Sequence, residues 1–487
     1  MLLWALLALA AMGCLVAAGV SYWWSQRGPD HPDTWDPRVQ DLAAFVEQER
    51  GVSFEHPVTV NFLDPEQYAE ITSAPEGGPD DEAVAAADDQ VAMFRALGLM
   101  TGEVDLLDSN QDLFGSSTAA FYHSISEQVY VNATADDELS TSTAATVVHE
   151  LTHVLQDQVD GLDDAFVDDE DPTTDRTDAH LAIVEGDAMV VESAYLASLS
   201  DDEIDSYLDE WESLVEESEA AVDEAGVPPA LDLLFGVPYA LGPSFVTVAD
   251  ALGDRDVVDA AIGGDVPPSV AVLDLETDDW PDEDPPEVPT HDGEELDVDT
   301  FGAMTWLVVL GGASTPDQAL TAASSWSADR VVQYRDDRDR LCVAATVVVA
   351  DADDGRSGDE PVDATSTFAA AAARWAASLP LEAGATAVED GDEVELRSCD
   401  PGPDVEIAAA GSEGASDAVE HASLLNSIVA EVASSAGAEL DVARCYGAGL
   451  VEHFGVERLS DEEGLTDTDE FLDVATSVGD ACDVPGG

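Results

Sequence analysis

The 487-residue chain contains no lysine: reading the sequence shows that all 15 of its basic residues are arginine. Without lysine the chain cannot supply a phosphate-loop lysine, a Schiff base or a Ser-Lys dyad, which argues against kinases and pyridoxal-phosphate enzymes. Against the arginines stand 106 Asp and Glu residues, so the formal charge is -91. Such a surface repels phosphates and anionic lipids, and we therefore expect no nucleic-acid partner.

The acidic residues are spread over the whole chain, which favours adaptation to high salt over dedicated binding of calcium or of a basic partner. At 1 M salt the Debye length is about 3 Å, so the self-repulsion of this surface is screened. Hydrophobic residues make up 45% of the chain, enough for well-packed cores in two or three domains. The composition predicts a folded halophilic protein.

Cysteine is scarce, and none of the five cysteines forms a CxxC pair, which argues against a zinc knuckle or a thioredoxin-type site. Cys14 lies in the apolar N-terminal segment. The other four predict two disulfides in an oxidising exterior, with Cys342 bonded to Cys399 and Cys445 to Cys482 as the favoured pairing. The sequence leaves three pairings open, and four free thiols are the alternative.

Residues 1–26 are predicted to form an N-terminal transmembrane anchor or signal. The run from Leu2 to Val20 is apolar and long enough to span a membrane, and aromatic residues follow at positions 22–24. A basic region typical of a cleaved signal is missing, which favours an anchor. Together with the disulfides this predicts the extracellular face of the cell membrane. A lipoprotein attached through Cys14 and a secreted protein are the alternatives.

Hydrophobic periodicity predicts an α+β fold, with a first domain over residues 36–277. The expected elements are a helix over Asp36–Arg50, a strand over His56–Leu63, a helix over Asp81–Leu97, strands near Ala119–Tyr122 and Gln128–Val131, a helix capped by Ser140 that ends before Gly161, a helix over Asp178–Leu199, and helices from Asp201 to about Ile262 that are interrupted at "VPP" (Val227) and at "GVPYALGP".

The rest of the chain divides into three predicted segments. Residues 278–299 are acidic and proline-rich and are predicted to be a linker or exposed loop. Residues 300–400 form a small α+β unit, with strands at Leu341–Ala350 and Asp392–Cys399 and a helix over Thr367–Leu379. Residues 415–487 are predicted to be helical.

The stretch "VVHELTHVLQDQ" carries the strongest chemical signal. His149 and His153 are four residues apart, so a helix projects both from one face, where they can share a metal ion. Two neutral imidazoles hold zinc without cancelling its charge, and Glu150 is placed to act as general base. The alternative is a solvated histidine pair, but the apolar neighbours predict a buried helix, in which histidines need partners.

A catalytic zinc site has three protein ligands, and Glu185 in "AIVEGDAMV" is the preferred third ligand. Gly186 would allow the two helices to approach closely, and Asp187 would accept a hydrogen bond from a ligand histidine. His180 and Glu192 are rivals for the third position. His180 is the weaker rival because a solvent-exposed place near the helix start is expected for it.

These motifs resemble the gluzincin branch of the zinc metallopeptidases, in particular secreted or membrane-anchored haloarchaeal proteins with HE-x-x-H-ALQDQ and a later EGDA. The resemblance covers about residues 36–399, including "AAFYHSISEQVYVN" as an edge hairpin and "SSWSADRVVQY" as a Trp-containing segment. It implies a zincin-like domain: a small mixed sheet with the hairpin packed on the HExxH helix, then a helical subdomain. It also implies that His149, His153 and Glu185 bind Zn²⁺, with Glu150 as base.

The resemblance further implies that Ala119 to Phe121 bind an extended substrate by strand addition. "GDVPPSVAVLDLE" matches the family only loosely and no histidine follows it, so the group that stabilises the oxyanion is open. Tyr239 is the candidate, and a core tyrosine at a proline turn is the alternative.

The predicted function is an extracellular, membrane-anchored zinc metallopeptidase that hydrolyses proteins or peptides. A surface protein that keeps the fold for binding or for cell-envelope structure is the second hypothesis. Calcium capture by the acidic loop Asp163–Asp175 is the third.

Overall fold

A computed structural model describes residues 31–72, 79, 81–133, 139–162, 165–166, 172–278, 280, 285–349, 364–408, 413–461 and 465–484. The predicted anchor, residues 1–26, lies outside the described residues. So does most of the loop between Asp163 and Asp175.

The chain is an α+β protein, mostly helical, with two small sheets. The helices are α1 (Gln40–Arg50), α2 (Pro65–Thr72), α3 (Asp81–Leu97), α4 (Leu106–Ser117), α5 (Thr141–Asp160), α6 (Thr174–Ala197), α7 (Asp201–Ala225), α8 (Pro229–Leu252), α9 (Arg255–Ile262), α10 (Ser269–Asp274), α11 (Gly302–Gly311), α12 (Pro316–Ser324), α13 (Ala364–Ser378), α14 (Glu413–Ala436), α15 (Leu440–Phe454), α16 (Val456–Asp461) and α17 (Asp469–Ala481). The strands are β1 (Thr59–Leu63), β2 (Ala120–His123), β3 (Gln128–Asn132), β4 (Glu294–Asp299), β5 (Trp326–Arg335), β6 (Leu341–Val349), β7 (Thr386–Asp390) and β8 (Glu393–Cys399).

The first sheet is mixed, with strand order β1-β3-β2. β1 runs parallel to β3, while β2 and β3 form the predicted antiparallel hairpin, with Ala120 opposite Val131. β2 is therefore an edge strand. Alternating apolar residues such as Val129 and Val131 face a core that α1 and α5 also line.

The helix that carries the histidines begins and ends as predicted. The Ser140 side chain accepts a hydrogen bond from the Thr143 N–H, which caps the first turn of α5. Gly161 ends the helix in the left-handed conformation, with φ of 82°. Local sequence thus specifies both ends of the helix that carries "HELTH".

The predicted break at "GVPYALGP" is wrong, because Pro238 and Pro243 lie inside the continuous helix α8. A proline removes one backbone hydrogen bond and costs roughly 3 kcal/mol in a helix interior. Burial offsets this cost, because Leu241, Phe245 and Val246 are fully buried in the core where α8 packs against α6 and α14.

The second sheet is antiparallel, with strand order β4-β5-β6-β8-β7. Its first strand corrects the linker prediction, since Glu294–Asp299 pairs with β5 and only the earlier described residues of 278–299 lack regular structure. Hydrophobic periodicity did not predict β5, because this strand is buried along nearly its whole length and its residues do not alternate between apolar and polar.

Both favoured disulfides are present. Cys342 and Cys399 are direct partners across β6 and β8, and their sulfurs are bonded. Cys445 of α15 is bonded to Cys482, which follows α17, and so clasps the C-terminal helices.

Two large apolar clusters organise the described residues. One contains the first sheet with α1 and α5, and the other joins α3, α6, α8 and the following helices to the second sheet and to α14. The predicted segments 36–277, 300–400 and 415–487 therefore share a core. Helix α6 contributes to both clusters, with Ile183 in the larger and Val191 in the smaller.

One helix within the described ranges, α8, is long and apolar enough to cross a membrane by length and composition. Its packing against α6 and α14 accounts for this apolar character without a membrane.

Candidate metal centre

Three ligand-type side chains meet between α5 and α6. Oε2 of Glu185 lies 3.2 Å from Nε2 of His149 and 3.4 Å from Nε2 of His153. The three groups offer ligand atoms that all lie within 4.8 Å of one another and could hold a metal ion. The structure thus brings together the three residues that the sequence predicts as ligands.

The separations fit a small tetrahedral ion. Zinc bonds of about 2.0–2.1 Å to histidine nitrogen and carboxylate oxygen place neighbouring ligand atoms about 3.3–3.4 Å apart in a tetrahedron. The two distances from Glu185 to the imidazole nitrogens, 3.2 and 3.4 Å, agree with this value. The donor set of two histidines and one glutamate is a known catalytic zinc set.

Each histidine is oriented through its other nitrogen. Nδ1 of His149 lies 3.2 Å from Oε2 of Glu192, and Nδ1 of His153 lies 2.9 Å from Oε1 of Gln156. Both oxygens are placed to accept a hydrogen bond from Nδ1–H, and in that tautomer Nε2 is the nitrogen that can bind an ion. Glu192 is therefore not the third ligand but the group that holds His149.

Asp187 does not contact a histidine, which corrects the sequence prediction. Its side chain is fully buried, accepts a hydrogen bond of 2.8 Å from Nε2 of Gln156, and forms ion pairs with Arg50 and Arg255. Asp187 lies two residues beyond Glu185, about 200° around the helix, so it faces a different neighbour. It reaches His153 only through Gln156.

Gly186 permits a close approach of helices, but the neighbour is α8 and not the HExxH helix. A Cβ atom at Gly186 would lie 2.4 Å from the carbonyl carbon of Gly242, and one at Gly242 would lie 1.7 Å from the carbonyl oxygen of Ala182. The two glycines let α8 lie directly against α6. This contact brings Tyr239 of α8 to Glu185.

His180 is buried and takes no part in the centre. Because α6 begins at Thr174, His180 lies well inside the helix, with Nδ1 3.0 Å from the Ala261 carbonyl oxygen and its ring against Phe166. Burial lowers the pKa of His180 to about 4. The expectation of an exposed position is therefore wrong.

Glu150 is buried beside the histidines and is 6% exposed. Burial raises the pKa of its carboxyl group, while the histidines and a hydrogen bond from the Tyr122 N–H oppose the rise. The Ala119 carbonyl accepts from the Asn132 N–H, so in the β2–β3 ladder Ala120 and Tyr122 direct their backbone groups away from β3, toward the edge that pairs with no described strand. Glu150 thus lies next to the edge strand.

Tyr239 lies beside the same three residues and forms a hydrogen bond with the Glu185 carboxylate. Burial raises the pKa of its phenol well above the usual range, and the charges of Glu185 and Glu150 and a hydrogen bond to Glu185 raise it further. Tyr239 is therefore a neutral hydrogen-bond donor at the centre.

The ligand groups shift each other's pKa in the directions that an ion pair requires. Burial opposes protonation of His149 and His153, but Glu185 outweighs it and raises both pKa values, with Glu192 adding to the shift at His149. Burial would raise the pKa of Glu185, yet the two histidines lower it well below its usual range. The two imidazoles and Glu185 therefore favour each other's charged forms.

Two further groups in the described part of the chain have metal-type donors. One group contains His56 and Glu127. The side-chain amide of Gln158 lies 3.3 Å from Nδ1 of His56, which favours the tautomer with the proton on Nε2. Nε2 lies 3.3 Å from Oε2 of Glu127. His31 completes this group, with Nδ1 3.6 Å from the same Glu127 oxygen. This oxygen faces both histidines but has no hydrogen-bond partner among the described residues. The other contains Cys342 and Cys399, whose sulfurs are bonded to each other.

Sequence reasoning missed Gln156 and Arg50. Gln156 lies three residues after His153 on the same helix face, so a polar residue at that spacing in an apolar run was a usable signal. Arg50 is 137 residues from Asp187 in sequence, and no local pattern joins them.

Comparisons with protein-family models, with curated proteins and with solved structures found no match to this chain.

Proposed function

We propose that this protein is a zinc-dependent metallopeptidase of the zincin type, which acts outside a halophilic cell and is held at the membrane by its N-terminal segment. The observation that carries the proposal is the carboxylate oxygen of Glu185 facing Nε2 of both His149 and His153 at 3.2 and 3.4 Å. The two disulfides support an oxidising exterior.

His149, His153 and Glu185 would hold the ion. When bound, zinc would supply Lewis-acid polarisation of the substrate carbonyl and a water that loses its proton near neutral pH. Glu192 and Gln156 orient the imidazoles so that Nε2 faces the centre.

Glu150 is the proposed general base. Its burial raises its proton affinity, so it can take a proton from the attacking water and give it to the leaving nitrogen of the peptide. The Tyr122 N–H donates to this carboxylate, which ties the base to the edge strand.

Tyr239 is proposed to stabilise the oxyanion, because its phenol is held neutral and can donate a hydrogen bond as negative charge develops on the substrate oxygen. An extended peptide would add to the unpaired edge of β2, toward which Ala120 directs its N–H and C=O groups.

The test uses the full-length protein in detergent at high salt. We expect about one zinc ion at this centre by mass spectrometry and cleavage of a diverse peptide library. Glu150→Gln should keep the zinc and lose about 10²–10⁴-fold in cleavage rate. Glu217→Gln, on an exposed face of α7, is the matched control and should cleave normally.

Equal cleavage by Glu150→Gln and the parent protein would reject the proposal. Stoichiometric zinc without cleavage of any library peptide by the parent protein would favour the second hypothesis, a zinc-containing surface protein that binds or builds the cell envelope.

A further inference from the structure

A cavity of about 120 Å³ lies beside the metal centre, between α3, α6, α8 and α11. Glu185 and Tyr239 line it, so it is continuous with the site described above. Its walls are largely apolar and include Met93, Phe94, Leu181, Phe235, Met304 and Val308. A cavity of about 150 Å³ in another protein holds benzene, so this cavity has room for a large side chain.

One charged group besides Glu185 lines the cavity. Asp178 precedes Glu185 by seven residues on α6, which is two helical turns, so both carboxylates lie on one face about 10 Å apart along the axis. The side chain of Asp178 is partly accessible. A group that enters beside the metal centre must be long to reach it.

Asp178 has a hydrogen-bond donor but no counter-ion. The Thr305 hydroxyl donates to its Oδ2 at 3.0 Å, and among the ion pairs of the described residues none involves Asp178. Burial raises the pKa of Asp178 to about 7, and the nearby carboxylates Asp175 and Asp299 add to the rise. When Asp178 is ionised, no cation among the described residues neutralises it.

We propose that this cavity binds the long basic side chain, arginine or lysine, of a peptide substrate, with Asp178 contacting its cationic tip. The apolar walls suit the methylene stem of such a side chain, and the aromatic residues Phe94 and Phe235 are part of these walls. A shorter apolar side chain would contact the walls of the cavity but would leave the Asp178 carboxylate without a cation. This inference deepens the proposed function and rests on it.

Equilibrium binding tests the inference without requiring hydrolysis. Full-length Glu150→Gln protein at high salt is titrated with fluorescent peptides that carry arginine, lysine or the uncharged norleucine at a single varied position. The arginine and lysine peptides should bind about 10- to 100-fold more tightly than the norleucine peptide, the range for a hydrogen bond to a charged group. High salt weakens exposed pairs more than this enclosed one.

Asp178→Asn in the same protein keeps the shape of the side chain and should abolish the preference, while Asp201→Asn, exposed at the start of α7, should keep it. Asp178→Leu is the second variant and should favour norleucine. Equal binding of all three peptides to the parent protein overturns the inference, as does a basic preference that survives in Asp178→Asn. Because binding is measured, a protein that binds basic peptides but hydrolyses none contradicts the peptidase function and leaves the cavity assignment standing.

Discussion

Oε2 of Glu192 lies 3.2 Å from Nδ1 of His149, on the side of the ring away from Glu185. The imidazole is therefore held between two carboxylates of one helix, seven residues apart. One is the proposed ligand, and the other fixes the tautomer that makes Nε2 available.

Replacing the orienting carboxylate should weaken metal binding without removing a ligand. Glu192→Gln is expected to lower zinc affinity about 10- to 100-fold, because His149 loses a charged acceptor for its Nδ1 proton. Competition with a chelator measures the affinity, with Glu217→Gln as the control for loss of charge. An unchanged affinity would show that His149 needs no such partner.

Tyr239→Phe separates a catalytic role from a packing role. We expect kcat to fall about 10²–10³-fold, the cost of losing one oxyanion donor, while zinc content and KM change little. Steady-state kinetics and metal analysis on the same samples measure this. If kcat stays constant and only the melting temperature changes, Tyr239 is a core tyrosine.

The contact between Gly186 and Gly242 predicts a steep steric penalty. Gly186→Ala places a methyl group 2.4 Å from the Gly242 carbonyl carbon, so α8 must move away and the free energy of unfolding should fall by at least about 1–3 kcal/mol. Because α8 carries Tyr239, cleavage should fall as well.

The matched control for this prediction is on the same pair of helices. Gly236→Ala in α8 meets no atom within 4 Å and should be neutral or stabilise by up to about 1 kcal/mol through helix propensity. Thermal unfolding at high salt compares the two variants. Equal melting temperatures would contradict the tight contact.

Asp178 should make the protein less stable as pH rises toward neutrality. Its pKa is about 7 in the folded protein against 3.8 for an unperturbed aspartic acid, so between about pH 4 and 7 the folded state binds the proton more tightly than the unfolded state does. Stability from this group is full below about pH 4 and is lost as pH rises through 7, by up to about 1.4 kcal/mol per pH unit.

Asp178→Asn imitates the protonated acid and should therefore be more stable than the parent protein at pH 7.5 and about equal to it at pH 4. Denaturant unfolding at both pH values measures this, with Asp201→Asn as control. A variant that loses stability at pH 7.5 would contradict the assigned direction.

Local sequence specified the parts of the site that lie on one helix. The four-residue spacing of His149 and His153 requires a shared face, and Ser140 and Gly161 mark the ends of the helix that carries them. The hairpin before it was also predicted, because alternation is a local signal. The two disulfides present are the pairing that the sequence favoured among three possible ones.

Tertiary packing decided how α6 uses its polar residues. Periodicity placed Glu185 and Glu192 on one face but could not rank their distances to the histidines, and only the packed helices separate the residue facing both Nε2 atoms from the one facing Nδ1. Asp187 points to arginines contributed by α1 and α9, which no local pattern indicates. β5 was missed because a strand buried on both faces shows no alternation.

The sequence by itself determined which functional groups are present: two imidazoles one helical turn apart, neighbouring carboxylates, no lysine and a strongly acidic surface. The tertiary structure decided which carboxylate meets the imidazoles, that a proline-containing stretch remains helical and carries Tyr239 to them, and that a cavity ends at Asp178. Helical spacing fixes directions around an axis, whereas distances between helices depend on side chains far apart in the chain, such as the glycines that let α6 and α8 touch.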